Sequence, residues 1–107
     1  MGRTVIVVYR PKKGKEAKLL ELIKDHLPVL RSQGLATDKK PIVMKAADGS
    51  VVEIFEWKSA KAIQDAHTNP EVGKLWIRFS EVCDFDKPMN VKEFNDMFSE
   101  FETIETE

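Results

Sequence analysis

The chain has a single cysteine, Cys83, among its 107 residues. One thiol cannot close a disulfide within the chain or supply the thiolate set of a zinc site, and the scarcity fits a reducing compartment. Only two histidines occur, His26 and His67, and HExxH spacing is absent, so no metal site is expected. Long apolar runs are also missing. The stretch from Val5 to Tyr9 is preceded by Arg3 and is too short for a membrane span or a signal peptide's apolar region. Ile6 stands where an N-myristoylation pattern needs Ser or Thr. A cytoplasmic protein with no membrane partner is the expectation. Charge of one sign is lacking too: 17 Lys and Arg against 18 Asp and Glu leave a net charge of -1, which gives no basic footprint for nucleic acid. Lys12, Lys13, Lys15 and Lys18 do cluster, but without a Gly-rich cradle they read as a solvated loop and helix start.

What the chain does contain is an ordinary globular balance, 42% hydrophobic and 33% charged residues. That is enough for one core, and a single domain over residues 1–107 is expected. Thr4 to Tyr9 is β-branched and almost continuously apolar, a strand buried on both faces. Pro11 and Gly14 mark a loop. Leu19, Leu20, Ile23, Leu27 and Leu30 then form one helical stripe, with Gly34 as its stop and Pro28 predicting a kink or restart near Asp25. Two extended runs follow, Pro41 to Ala46 and Val51 to Trp57, joined at Asp48-Gly49, a dipeptide suited to a type I′ hairpin.

Ser59 is placed to cap a short helix containing Ile63, Ala66 and His67, and Asn69-Pro70-Glu71 is a start signal for a longer one. That helix carries Val72, Leu75, Trp76, Phe79, Val82 and Cys83 on one face and is expected to end around Asp84. Beyond the loop at Pro88, Val91 to Met97 suits one helical turn or two, and a last strand is expected from about Ser99. The order strand, helix, strand, strand, helix, strand is the ferredoxin-like α+β pattern with an antiparallel sheet. Val5, Val7 and Tyr9 alternate with Ile6 and Val8, and Val51, Phe55 and Trp57 alternate with Val52 and Ile54. A sheet apolar on both faces needs two covers while the helices supply one, so a homodimer packed sheet to sheet is expected.

Several segments together, V-V-Y-R-P-K-K-G-K-E, L-P-V-L-R-S-Q-G, and F-E-W-K-S through A-H-T-N-P to L-W, resemble the antibiotic biosynthesis monooxygenase-like group of dimeric α/β barrel proteins. The resemblance covers most of the chain. It implies a dimeric barrel, a last strand that often crosses to the partner subunit, and a monooxygenase acting on a quinol-type or polyketide aromatic compound without metal or flavin. Haem-degrading members use an Asn on the first strand, a Trp on the short helix and a His on the long one. Here Val8 and Tyr9, Ala66, and Trp76 with Ile77 stand in those regions, so haem ligation of that kind is not expected.

The residues that carry chemistry are few. His67, four residues after Ile63, is the expected catalytic base or hydrogen-bond donor in the pocket; the alternative is a histidine capping helix carbonyls. His26 falls on the shoulder of the first helix's stripe and is a candidate for the same cavity or a structural histidine. Glu53 and Glu56 face opposite ways on their strand. A buried Glu53 needs a partner, for which Arg10, Arg78 or His67 are candidates, and a salt bridge at an edge or interface is preferred to proton transfer with a histidine. Tyr9, Met44, Phe55, Trp57 and Trp76, with Phe79, are the expected pocket wall, or simply core. A non-catalytic dimeric binding or structural module is the alternative function.

Overall fold

A computed structural model describes residues 1–106. The elements are β1 (Arg3–Pro11), α1 (Glu16–Ser32), β2 (Ile42–Lys45), β3 (Val51–Trp57), α2 (Ala60–Ala66), α3 (Pro70–Val82), β4 (Cys83–Asp86) and β5 (Glu102–Thr103), with two 3-10 turns at Pro88–Asn90 and Lys92–Asn95. The fold is α+β: one five-stranded sheet in the order β4-β1-β3-β2-β5, every pair antiparallel. No helix among the described residues is long and apolar enough to cross a membrane.

Local chemistry sets the boundaries. Gly34, at φ +72°, ends the turn after α1, where Leu35 N–H donates to the Leu30 carbonyl; only glycine takes that backbone without strain. Ser59 Oγ accepts from Ala62 N–H, and Asn69 Oδ1 accepts from both Glu71 and Val72 N–H, so each short sequence signal is a working cap.

Three expectations are corrected. Helix α1 runs unbroken through Pro28; the ring costs one ladder bond, and the Leu27 and Leu30 contacts with the core hold the turn in place. The β2–β3 turn is not type I′, because Asp48 keeps a negative φ and only Gly49 (φ +93°) is left-handed. Ala46 and Ser50 close a three-residue loop instead, with Asp48 Oδ1 accepting from Ser50 N–H. The fourth strand is Cys83–Asp86, in a segment expected to be helix end and loop, and the C-terminal strand is a fifth, two residues long. It pairs with β2 of its own chain, Met44 opposite Thr103.

Alternation along the strands separates two faces. Val43, Val51, Phe55 and Trp57 bury against α1 and α3 with Leu19, Leu22, Ile23, Leu27, Leu75 and Phe79. The outer face, for which a second copy was the expected cover, is partly covered by the chain itself. Val8, Ala46 and Val52 are covered by Val91 of the crossing C-terminal segment, with Phe94 and Phe101 beside it. Arg10 holds that crossing: its guanidinium donates to Asp86, to Asp48 (3.1 Å), to Ser50 Oγ (3.0 Å) and to the Asn90 carbonyl (3.1 Å). The Asn90 amide and Arg10 together pull the Asp86 carboxyl down to about 2. The rest of the outer face stays open, with Ile6 46% and Ile42 56% exposed. Strand β4 pairs only with Val8 to Pro11, so no strand among the described residues flanks Arg3 to Val7 on that side.

Candidate active site

Between the sheet and helices α1 and α3 lies a cavity of about 390 Å³, lined by Val5, Val7, Tyr9, His26, Phe55, Trp57, Trp76, Phe79 and Phe85. The volume is within the range of small-molecule sites. The strand period puts Val5, Val7 and Tyr9 of β1 on this side together with Phe55 and Trp57 of β3. Phe85 joins them because it stands opposite Tyr9 across the β1–β4 ladder. Helix α1 contributes His26, one turn after the buried Leu22, and α3 contributes Trp76 and Phe79.

The polar atoms of the site converge on one carboxylate. Glu53, directly opposite Val7 on β3, is 0% exposed. Its Oε1 accepts from the Tyr9 hydroxyl at 2.6 Å and lies 2.8 Å from His26 Nδ1. Oε2 is buried without a hydrogen-bond partner among the described residues. Burial, and then the facing Glu53 charge, push the Tyr9 phenol well above its ordinary value, so it stays a donor. The ring tautomer follows from the network: with Nδ1–H donating to the carboxylate, His26 Nε2 carries the lone pair and is the nitrogen left for a ligand. Aromatic rings hold both side chains. Tyr9 stacks on Phe79 with centroids 5.2 Å apart, and His26 meets Phe55 and Phe79 nearly at right angles at 5.0 and 5.3 Å.

No family model, curated protein or solved structure gives a match to the chain.

Of the residues expected to form the pocket, Tyr9, His26, Phe55, Trp57 and Trp76 line the cavity, and Glu53 stands behind two of them. The partners of Glu53 are Tyr9 and His26. Arg10 is on the opposite face of the sheet with Asp86 and Asp48, and Arg78 faces Asp25 at 3.8 Å. Met44 is not in the cavity: it packs on the outer face beside Val8 and Val52, because its even position on β2 points away from the helices. His67, the expected base, is exposed at the C-terminal end of α2. Its Nδ1 donates to the Ile63 carbonyl at 2.8 Å and its ring stands edge-on to Trp76. That is the helix-capping role named as its alternative.

Phe85 escaped the sequence reading. Its signal was the alternation in C-D-F-D, a strand period too short to stand out after a helix. Among the described residues no group of three or more His, Cys, Asp or Glu is arranged to hold a metal ion. Chemically, the site offers one imidazole backed by a carboxylate at the end of an apolar chamber, an arrangement suited to taking a proton from a ring hydroxyl or to hydrogen-bonding its oxygen.

Proposed function

We propose that this chain is a homodimeric, ferredoxin-like α/β barrel protein that binds one quinol-type aromatic compound and oxidises it with dioxygen, using neither metal nor flavin. His26, rather than His67, is the proton acceptor. The observation that carries the reading is the Tyr9–Glu53–His26 chain at the wall of an aromatic cavity. Removing a ring hydroxyl's proton leaves an electron-rich oxyanion, the form that dioxygen attacks in the cofactor-free oxygenases that the chain resembles. Trp57, Trp76 and Phe55 supply flat walls for the ring. The strand order β4-β1-β3-β2, with the helices on one face, supports the ferredoxin-like description.

Oxygen uptake with a panel of hydroquinones and polyphenols tests this. His26→Ala is expected to lower kcat about a hundredfold or more, while His67→Ala leaves it within about threefold. Equal loss in both variants would return His67 to the chemistry. A second reading, a non-catalytic binding module, is favoured by the complete engagement of the Tyr9 hydroxyl with Glu53. It prevails if ligands quench the Trp57 and Trp76 fluorescence and none consumes oxygen.

The dimer reading rests on the open part of the outer face, where Ile6 and Ile42 flank the partly buried Ile54. A second copy packed there about a twofold axis covers what the C-terminal segment leaves bare. Sedimentation equilibrium is expected to give twice the chain mass for the wild type and the chain mass for Ile6→Lys combined with Ile42→Lys. A wild-type protein that sediments at the chain mass removes the dimer.

A further inference from the structure

We infer that Glu53 is a positioning residue that decides the ionic form of the bound ligand: an acidic hydroxyl entering the cavity is held as its oxyanion, with its proton on His26. This rests on the cavity being a ligand site, as proposed above. Among the described residues the charge of Glu53 has no lysine or arginine partner, since Arg10 and Arg78 are engaged elsewhere. Two donors among the described residues reach it, both at Oε1. An isolated carboxylate buried in this way is costly, and that cost falls when a counter-charge stands beside it.

Among the described residues His26 is the one group in contact that can become that counter-charge. From β1, Tyr9 faces it as a neutral phenol. At the start of β4 the Cys83 thiol is pushed up to about 11 by burial and donates to the Phe79 carbonyl. From α3 come Phe79 and Trp76, neither of which titrates. On α1 itself, Asp25 turns outward to Arg78. A proton arriving at Nε2 therefore turns a lone buried charge into an ion pair at 2.8 Å.

The step balances without an oxidant. The ligand's O–H bond breaks, its electron pair stays on oxygen, and the proton forms the new N–H bond at Nε2. A carboxylate behind the imidazole fixes the tautomer that can accept and offsets the charge that results. Glutamine in place of Glu53 keeps the size and an acceptor oxygen but loses that offset.

The probe is 4-nitrophenol, whose neutral and anionic forms differ in colour, with 4-nitroanisole as a partner that cannot ionise. At a pH one unit below the probe's own pKa, roughly one-tenth of the free probe is ionised. The wild type is expected to bind it as the anion, raising the ratio of anion to neutral form at least tenfold. Glu53→Gln and His26→Gln are expected to bind it in the neutral form. Neutral probe bound to the wild type overturns the inference and leaves the ligand site standing, and the wild-type spectrum decides this even if a variant fails to fold. Anion retained in Glu53→Gln overturns it as well. If neither probe binds and the tryptophan fluorescence stays constant, the site reading falls and takes the inference with it.

Discussion

Glu53→Leu is expected to lower the unfolding free energy by about 3 kcal/mol, and adding Tyr9→Phe and His26→Leu to it should recover that loss or exceed it. The single change leaves the Tyr9 hydroxyl and His26 Nδ1 in the core with no acceptor, since both donate to the same Oε1. Each stranded donor costs about 1–3 kcal/mol. The triple change removes the donors as well; the orphaned Oε2 is already gone in the single variant. Urea unfolding of the wild type, the single variant and the triple variant measures this. Recovery in the triple variant means the network is kept at a cost to stability, as groups retained for binding or chemistry are. A triple variant as weak as the single one would make the network a structural device, and the functional reading would lose its main support.

The second large effect separates core from ligand wall. Phe79 and Phe85 both line the cavity and both contact Tyr9, yet Phe79 is 1% exposed and Phe85 is 55% exposed. Phe79→Ala removes a ring packed on Tyr9 and His26 and is expected to cost about 4 kcal/mol. Phe85→Ala removes a ring already in contact with solvent and is expected to cost under about 1 kcal/mol. Affinity for an aromatic ligand should fall at least tenfold in Phe85→Ala despite that small cost, because the ring closes one side of the chamber. Thermal melts and tryptophan fluorescence titrations distinguish the two residues. Similar melting losses in both would mean that Phe85 is core.

Much of the fold is legible along the chain where one period dominates. Val5, Val7 and Tyr9 alternate with Ile6 and Val8, and that alternation assigns their faces correctly. The stripe from Leu19 to Leu30 fixes the inward side of α1, and the Asn69-Pro70-Glu71 start of α3 is found where the residue types demand it. What failed had a local reason. Pro28 disrupts an isolated helix, but here core contacts on either side outweigh one missing bond. The C-D-F-D strand is polar at two of its four positions because Asp84 and Asp86 face outward toward Arg10.

The site divided in the same way. His26, four residues after Leu22, carried the signal of an inward side chain, whereas His67 drew attention by its place at a break between helices. A helix end is also where an exposed imidazole finds a carbonyl to cap. The pairing of Glu53 with His26 spans 27 positions, and no spacing rule reports it. It is visible only once β3 and α1 are stacked.

Strand β1 is supported unevenly. At Tyr9 it has a neighbour on each side, Val51 on β3 and Phe85 on β4, whereas at Val5 and Val7 it has, among the described residues, β3 alone. The two valines on the singly held half line the cavity, and the tyrosine on the doubly held half grips Glu53. Local opening follows the half with fewer bonds to break. The valine end of the chamber is therefore expected to open more readily than the tyrosine end, where the carboxylate is held. A single strand thus carries both the more loosely and the more firmly held wall of the chamber.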